Sequence, residues 1–259
     1  MKSNNIAVIG NGYVGKGMLK IFPDAVKYDE PQGIGTREEV NECELAIVCV
    51  PTPMAEDKSC DTSIVEDVVS WLETPLILIK SALEPGTADR LKIKYKKRIC
   101  VSVEYMGEGK YWTPPKYPDP VNPISHGFFV IGGESSDCSE IMDFFTPILG
   151  PATRIRIVSA KEAEIIKYAE NTWGATKVIF SHMLRDVCEK SGANWYQVRE
   201  GWLDDPRVES MHTQAFKKRG FGGKCYPKDL CGFIKYCEKI GYDHKILNAV
   251  KDQNDFYQL

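Results

Sequence analysis

Gly10-Asn11-Gly12-Tyr13-Val14-Gly15, preceded by the apolar run Asn5 to Gly10 and followed by a short helical stretch from Lys16 to Phe22, decides the fold of this chain. The spacing is G-x-G-x-x-G in the setting that gives it meaning, a strand running into a tight turn and then a helix. The first glycine permits the turn, the second lets a pyrophosphate approach the backbone, and the third lets helix pack on strand, with the phosphates at the helix N-terminus. A second strand, Ala25 to Tyr28, ends in Asp29, nineteen positions after Gly10, where a carboxylate accepts the ribose hydroxyls of an adenosine. Glu30 is the competing carboxylate, and the plain alternative for both is a solvated strand end. The stretch therefore predicts a dinucleotide site built from Gly10, Gly12, Tyr13, Val14, Gly15 and Asp29.

Working outward, strand and helix alternate. Thr36 to Glu39 has capping-box spacing and opens a short helix, and Leu45 to Val50 reads as a fully buried parallel strand. The prolines of Val50-Pro51-Thr52-Pro53 stop it at the carboxyl edge of the sheet, where open α/β folds bind ligands. Asp61 to Glu73 reads as a helix with Ser63 and Glu66 in capping-box spacing. Leu76 to Lys80, Ile99 to Val103 and Phe128 to Gly132 read as strands, Thr113 to Pro123 as a proline-rich surface loop, Asp137 to Leu149 as a covering helix and Arg154 to Val158 as an edge strand.

The composition changes at Ser159. Ser159 and Glu162 again fit a capping box, and no proline interrupts Ala160 to Lys190, which predicts one helix of about 30 residues, near 45 Å long. Lys167 and Asn171 stand four apart on one face of it; a lysine among apolar neighbours otherwise snorkels. Asn194 to Gly201, Lys228 to Ile240 and His244 to Phe256 read as further helices. The expected organisation is a domain over residues 1–158 and a helical domain over 159–259.

Composition bounds the function. A chain of 259 residues with 43% hydrophobic and 27% charged residues can build two cores at about 100 to 150 residues each. A net charge of -3 carries no basic excess, which argues against a nucleic-acid partner held by phosphate contacts. No apolar run approaches the roughly 20 residues of a membrane span, and Met-Lys-Ser-Asn-Asn leads straight into a strand, so a cytoplasmic chain with no membrane partner and no signal peptide is expected. Nine cysteines without zinc-type spacing indicate neither a disulfide framework nor a metal site.

One cysteine stands apart. In Gly220-Phe-Gly-Gly-Lys-Cys-Tyr-Pro-Lys-Asp229, Gly220, Gly222 and Gly223 allow positive φ and close approach to a ligand, and Pro227 suits the first turn of the helix expected from Lys228. Cys225 then lies just ahead of a helix N-terminus with Lys224 and Lys228 nearby, a setting that favours a thiolate nucleophile. The plain alternative is a glycine-rich turn around an inert thiol.

This block resembles the catalytic-cysteine signature of the nucleotide-sugar 6-dehydrogenases, the UDP-glucose and GDP-mannose dehydrogenase family. Other family blocks follow in the same order. Val50-Pro51-Thr52-Pro53 is similar to the Val-Pro-Thr-Pro that lines the cofactor site. Ser81-Ala82-Leu83-Glu84-Pro85-Gly86-Thr87 resembles Ser-Thr-Val-x-Pro-Gly-Thr, with Ala82 where the family's threonine holds substrate and the attacking water. Glu104-Tyr105-Met106-Gly107-Glu108-Gly109 resembles the end of Asn-Pro-Glu-Phe-Leu-x-Glu-Gly, with Ser102 and Val103 replacing Asn and Pro. Lys167 and Asn171 match the family's Lys-x-x-x-Asn, and Asp204 to Val208 the segment that sends an arginine, here Arg207, to the substrate.

The resemblance implies an α/β fold, a Rossmann-type mostly parallel sheet followed by an all-helical domain with one long central helix on which a homodimer is built. It implies NAD as cofactor, with Pro51, Thr52, Ser81 and Lys228 joining the glycine motif, and preference over NADP because Asp29 repels a 2′-phosphate. The implied substrate is a sugar nucleotide, contacted by Arg207, Gly222 and Gly223 and oxidised twice at C6. Cys225 forms a thioester, Lys167 stabilises the oxyanion, Asn171 orients the lysine, and Asp229, Glu104 and Glu108 handle protons and water. Family members continue into a third, nucleotide-holding domain that is expected to be missing from these residues. Two other readings stay open: a β-hydroxyacid dehydrogenase, which also joins such domains and uses Lys-x-x-x-Asn but needs no cysteine block, and a degenerate NAD-binding subunit without turnover.

Overall fold

The central strands form because their residues are apolar on both sides. In the computed structural model, which describes residues 5–107, 119 and 122–259, β1 (Ile6–Ile9), β3 (Leu45–Val48), β4 (Leu76–Ile79) and β5 (Ile99–Ser102) are buried at every position. With β2 (Val26–Tyr28), β6 (Phe128–Gly132) and β7 (Arg154–Val158) they make a seven-stranded sheet in the order β2-β1-β3-β4-β5-β6-β7. Every pairing is parallel except β5 with β6. Glu108 and most of the segment from Thr113 to Pro123 lie outside the described residues.

The two-residue period of the strands divides the core. Ala7, Ile9, Ala46, Val48, Ile77 and Ile79 face one side with Val65, Val68 and Val69 of α3 (Ser63–Trp71) and Leu91 of α4 (Thr87–Tyr95). Ile6, Val8, Leu45, Ile47, Leu76 and Leu78 face the other with Met18 and Ile21 of α1 (Tyr13–Ile21) and Ile141 and Phe145 of α5 (Ser135–Leu149). Burying each large side chain stabilises by about 1.5–3 kcal/mol, so both sheet faces hold the layer together. The chain leaves β1 for β2 on one side and crosses to β3 on the other. The switch point of this sheet, where doubly wound folds bind ligands, is therefore between β1 and β3.

Four local expectations are corrected. α1 begins at Tyr13, three residues before Lys16, because Gly12 is already its N-cap. The helix α4 has no counterpart in the sequence reading: only Thr87, Ala88 and Leu91 are buried in a segment otherwise dominated by charged residues, so its period is faint. The Ser63 and Glu66 capping box does not form; Asp61 accepts from the Ser63 N–H, and Glu66 turns to Arg90 and Lys94, whose hydrogen bonds bring its carboxyl down to about 2. The boxes at Thr36 and Ser159 do form, the latter with Ser159 N–H donating to Glu162 at 2.7 Å. Last, the cysteine-bearing helix begins at Cys225 rather than Lys228.

The remaining helices are α2 (Arg37–Asn41), the 32-residue α6 (Ala160–Ser191), α7 (Trp195–Leu203), α8 (Cys225–Lys239) and α9 (Lys245–Gln258). The chain divides into two compact units at Lys167/Tyr168, inside α6 rather than at Ser159. The first holds the sheet, and the second holds Tyr168–Leu259 with the short segment Glu56–Ser59. Ala175, Ile179, Phe221, Leu230, Ile234 and Val250 form the core of the second. Among the described residues no helix is long and apolar enough to cross a membrane.

Candidate active site

At the switch point the glycines do what their positions demand. Gly10 is at φ +95°, and a Cβ there would lie 2.6 Å from the Cys49 carbonyl oxygen. A Cβ at Gly15 would strike the Gly10 carbonyl, whereas one at Gly12 would meet nothing within 4 Å. The backbone is thus closed at the first and third glycines and open at the second. Gly12 caps α1 without a side-chain bond, which leaves first-turn N–H groups of α1 to an anionic ligand. Tyr13 is exposed and Val14 half-buried.

Asp29, at the end of β2, faces this loop. Its Oδ2 accepts the Asn11 N–H at 2.7 Å and its Oδ1 the Gln32 N–H at 3.0 Å, while Asn11 Nδ2 donates to Gln32 Oε1 at 2.9 Å. Gln32 is a member of this cluster that the motif does not reveal. Glu30 instead pairs with Arg37. After β3, Pro51 is exposed and Thr52 buried; Ser81 Oγ donates to the Val50 carbonyl at 2.6 Å, tying the ends of β3 and β4 together. An open second glycine, a bare helix start and a carboxylate at the end of β2 fit a dinucleotide of the NAD type.

Deeper in the same unit lies a charged cluster that pattern reading missed. Lys80 is 4% exposed, and its Nζ stands 3.3 Å from Glu104 Oε2 and 3.1 Å from Ser102 Oγ. Glu104 is itself buried. Its Oε1 accepts the Met106 N–H at 2.6 Å, and its carbonyl accepts from Lys167 Nζ at 2.5 Å. The only hint of Lys80 was a lysine ending an otherwise apolar strand.

One turn before Lys167, Glu164 is buried and accepts the N–H groups of Gly86 at 2.5 Å and Ala88 at 2.9 Å, capping α4. Burial pushes its carboxyl up to about 7, against those two hydrogen bonds and Lys161, with Asp89 adding to the rise. The folded protein therefore holds this proton more tightly than the unfolded chain. The Glu164 contribution is greatest below about pH 4.5 and is lost as pH rises towards 7, at up to about 1.4 kcal/mol per pH unit. His182 and His212, both lowered to about 4 by burial, act in the opposite sense between about pH 4 and 6.5. Subtracting the Glu164→Gln melting profile from the parent's over this range is expected to isolate a falling curve; a flat difference would show that Glu164 titrates alike in the folded and the unfolded chain.

In the second unit, Asp229 is 2% exposed and joins two other expected residues. Asn171 Nδ2 donates to its Oδ2 at 2.5 Å and Lys228 Nζ to its Oδ1 at 2.5 Å. Lys228, expected at a cofactor, is thus engaged with its neighbour. Cys225 is the first residue of α8 and the exposed one among nine cysteines; Cys231 is half-buried and the rest are buried. Gly220 and Gly223 have φ of +70° and +80°, but Gly222 does not enter the left-handed region, which corrects that expectation.

Tyr226, next to Cys225, shares a hydrogen bond of 2.8 Å with His212 Nε2 and stacks edge-on to Phe221. It lies against Gly174 of α6, where any Cβ would collide with its phenol. Arg207 is exposed and forms a bidentate pair with Asp205, two residues away. The structure does not bring it to the Asn171–Asp229 group.

Two family models match the chain: the NAD binding domain of the UDP-glucose/GDP-mannose dehydrogenase family over residues 33–144, and the central domain of the same family over residues 161–256. UDP-glucose 6-dehydrogenase from Pseudomonas aeruginosa is 31% identical over 234 residues, which covers 84% of this chain and 49% of that protein. AglM, a UDP-glucose 6-dehydrogenase of Haloferax volcanii, is 27% identical over 84% of this chain and 54% of its own length. The chain spans about half the length of the curated relatives it matches. Among solved structures, a UDP-glucose dehydrogenase from Pyrobaculum islandicum superposes with TM-score 0.81 at 23% identity, over 97% of this chain and 68% of that one. The 3-hydroxyisobutyrate dehydrogenase of Mycobacterium tuberculosis superposes with TM-score 0.70 at 16% identity, over 97% and 91%. At these identities the structural likeness speaks for the fold alone.

Proposed function

The chain belongs to the UDP-glucose/GDP-mannose dehydrogenase family, and from that premise we propose that it serves the NAD-dependent, two-step oxidation of a sugar nucleotide at its C6 alcohol. The observation that carries this reading is Cys225 at the first turn of α8, exposed, one turn from a buried Asp229 bonded to Asn171. A β-hydroxyacid dehydrogenase needs no such thiol.

NAD, when bound, accepts the hydride in each oxidation; Gly12, the first turn of α1 and Asp29 would hold it, with Pro51, Thr52 and Ser81 at the adjoining strand ends. The remaining work falls to side chains. The first oxidation turns the C6 alcohol into an aldehyde, and a buried carboxylate takes the hydroxyl proton. The Cys225 sulfur then adds to the aldehyde carbon, giving a thiohemiacetal whose oxyanion the Lys167 ammonium stabilises. Loss of the second hydride leaves a thioester. Water activated by Glu104 or Asp229 attacks its carbonyl, the C–S bond breaks, and the carboxylate product and free thiol are released. Glu108 belongs to the same proposed set.

The test is stoichiometric. UDP- and GDP-linked hexoses and small hydroxy acids are offered with NAD or NADP, to the chain alone and with cell extract as a source of further parts. Two NADH per sugar nucleotide, with NAD preferred, are expected. One NADH per hydroxy acid would favour the β-hydroxyacid reading, and none from any substrate would favour a subunit without turnover.

The homodimer is the second element of the proposal. Trp173, Phe180 and Val187, seven apart on α6, are 58%, 45% and 55% exposed, with Met183 on the same face. An apolar stripe of this length on one helix is the kind of surface that a second copy covers. Light scattering at micromolar concentration should give twice the chain mass for the parent and the single mass for Phe180→Asp; a monomeric parent would sink it.

A further inference from the structure

We propose that Asn254 is a positioning residue for Cys225, and that the last turn of α9 sets the glycine-rich turn from which α8 starts. The proposal rests on the reading of Cys225 as nucleophile. One face of α9 bonds two residues of the turn and lies close against the glycine between them. Asn254 is buried, and its Oδ1 accepts the Phe221 N–H at 2.7 Å. Gln258 Nε2 donates to the Arg219 carbonyl at 2.7 Å. Between them Gly220 sits at φ +70°, and a Cβ there would lie 2.6 Å from Asn254 Oδ1, 2.9 Å from Gln258 Nε2 and 3.3 Å from Tyr257 Cβ. Positions 254, 257 and 258 are neighbours on a helical surface, so one face makes all these contacts.

The same face is itself braced. Tyr257 Oη donates to Asp186 Oδ2 of α6 at 2.7 Å, Arg219 pairs with Asp186, and the Arg219 guanidinium lies 5.2 Å from the Tyr257 ring centre. Two anchors flank Cys225, Phe221 on Asn254 and Tyr226 on His212, and both bear on the direction in which the backbone enters α8. Between them two glycines are open: Cβ atoms at Gly222 and Gly223 would touch nothing within 4 Å. An anchor lost at either end lets the first turn of α8, with its thiol, move as a piece.

Iodoacetamide alkylation of Cys225 in the full chain, followed by peptide mass spectrometry between about pH 6 and pH 9, reads this without any turnover. Asn254→Leu, similar in shape but unable to accept from Phe221, is expected to slow alkylation at neutral pH about fivefold and to change its pH profile, while Asn254→Asp, which keeps an acceptor, stays within about twofold of the parent. A folded Asn254→Leu chain alkylated like the parent at every pH overturns the proposal. Should that variant not fold, Gln258→Ala, at the exposed end of the same face, decides: slower alkylation upholds the proposal, and the parent rate overturns it. A chain that reduces no NAD yet shows this pattern removes the dehydrogenase reading and leaves the clamp standing.

Discussion

If the proposed two-step oxidation holds, Cys225→Ser is expected to cut acid formation by roughly a thousandfold or more, because serine at neutral pH is a poor nucleophile and the proposed second oxidation passes through a covalent thiohemiacetal. The fold should not notice. Cys225 is exposed at the first position of α8, where a hydroxyl is at least as well tolerated as a thiol, and the Gly222–Gly223 backbone before it has open space around it. The first oxidation needs no bond to the enzyme, so one NADH per sugar can persist while the carboxylate disappears. Product acid and NADH are counted together, with Cys231→Ser as the half-buried control. Acid formed at the parent rate by the Cys225 variant would exclude that thiol as nucleophile.

Lys80→Met is expected to destabilise the sheet-bearing unit by about 3 kcal/mol, since removing one partner of a buried ion pair strands the other. The side chains of Lys80 and Glu104 are only 4% and 10% exposed, and no described basic group other than Lys80 pairs with that carboxylate. Ser102 Oγ loses its donor at the same time. Pairing the change with Glu104→Gln should recover more than half of the loss, because a neutral amide does not carry the cost of a buried charge. Urea unfolding followed by circular dichroism gives both numbers. A loss below about 1 kcal/mol for the single variant would mean that Glu104 is not held as a buried ion.

What could be read in the sequence follows from how each feature is encoded. Strands β1, β3, β4 and β5 are buried on both faces, so they stand out as apolar runs, and the glycine motif is a local pattern with a local cause. The long helix α6 was visible because proline is absent over its length. Helix α4 was not, because its cap comes from Glu164, far along the chain, and four of its nine residues are charged. The same distance in sequence hid the site's pairings. Lys167 and Asn171 are legible as a helical pair, but their partners, the Glu104 carbonyl and the Asp229 carboxylate, belong to segments that only folding brings near. Lys80 was passed over because a lysine at a strand end is ordinarily solvated.

The contact between Gly174 and Tyr226 also bears on how this chain can change over generations. A methyl group at position 174 has no room while a phenol occupies position 226, and that phenol is in turn spoken for by His212. Drift at any one of the three positions is therefore conditional on the other two. A lineage that acquires alanine at 174 must first trim the aromatic ring at 226, and one that loses His212 leaves a hydroxyl that phenylalanine would better replace. Because position 226 adjoins Cys225, such exchanges would occur in an order, and chains carrying the intermediate combinations should be rare among its descendants.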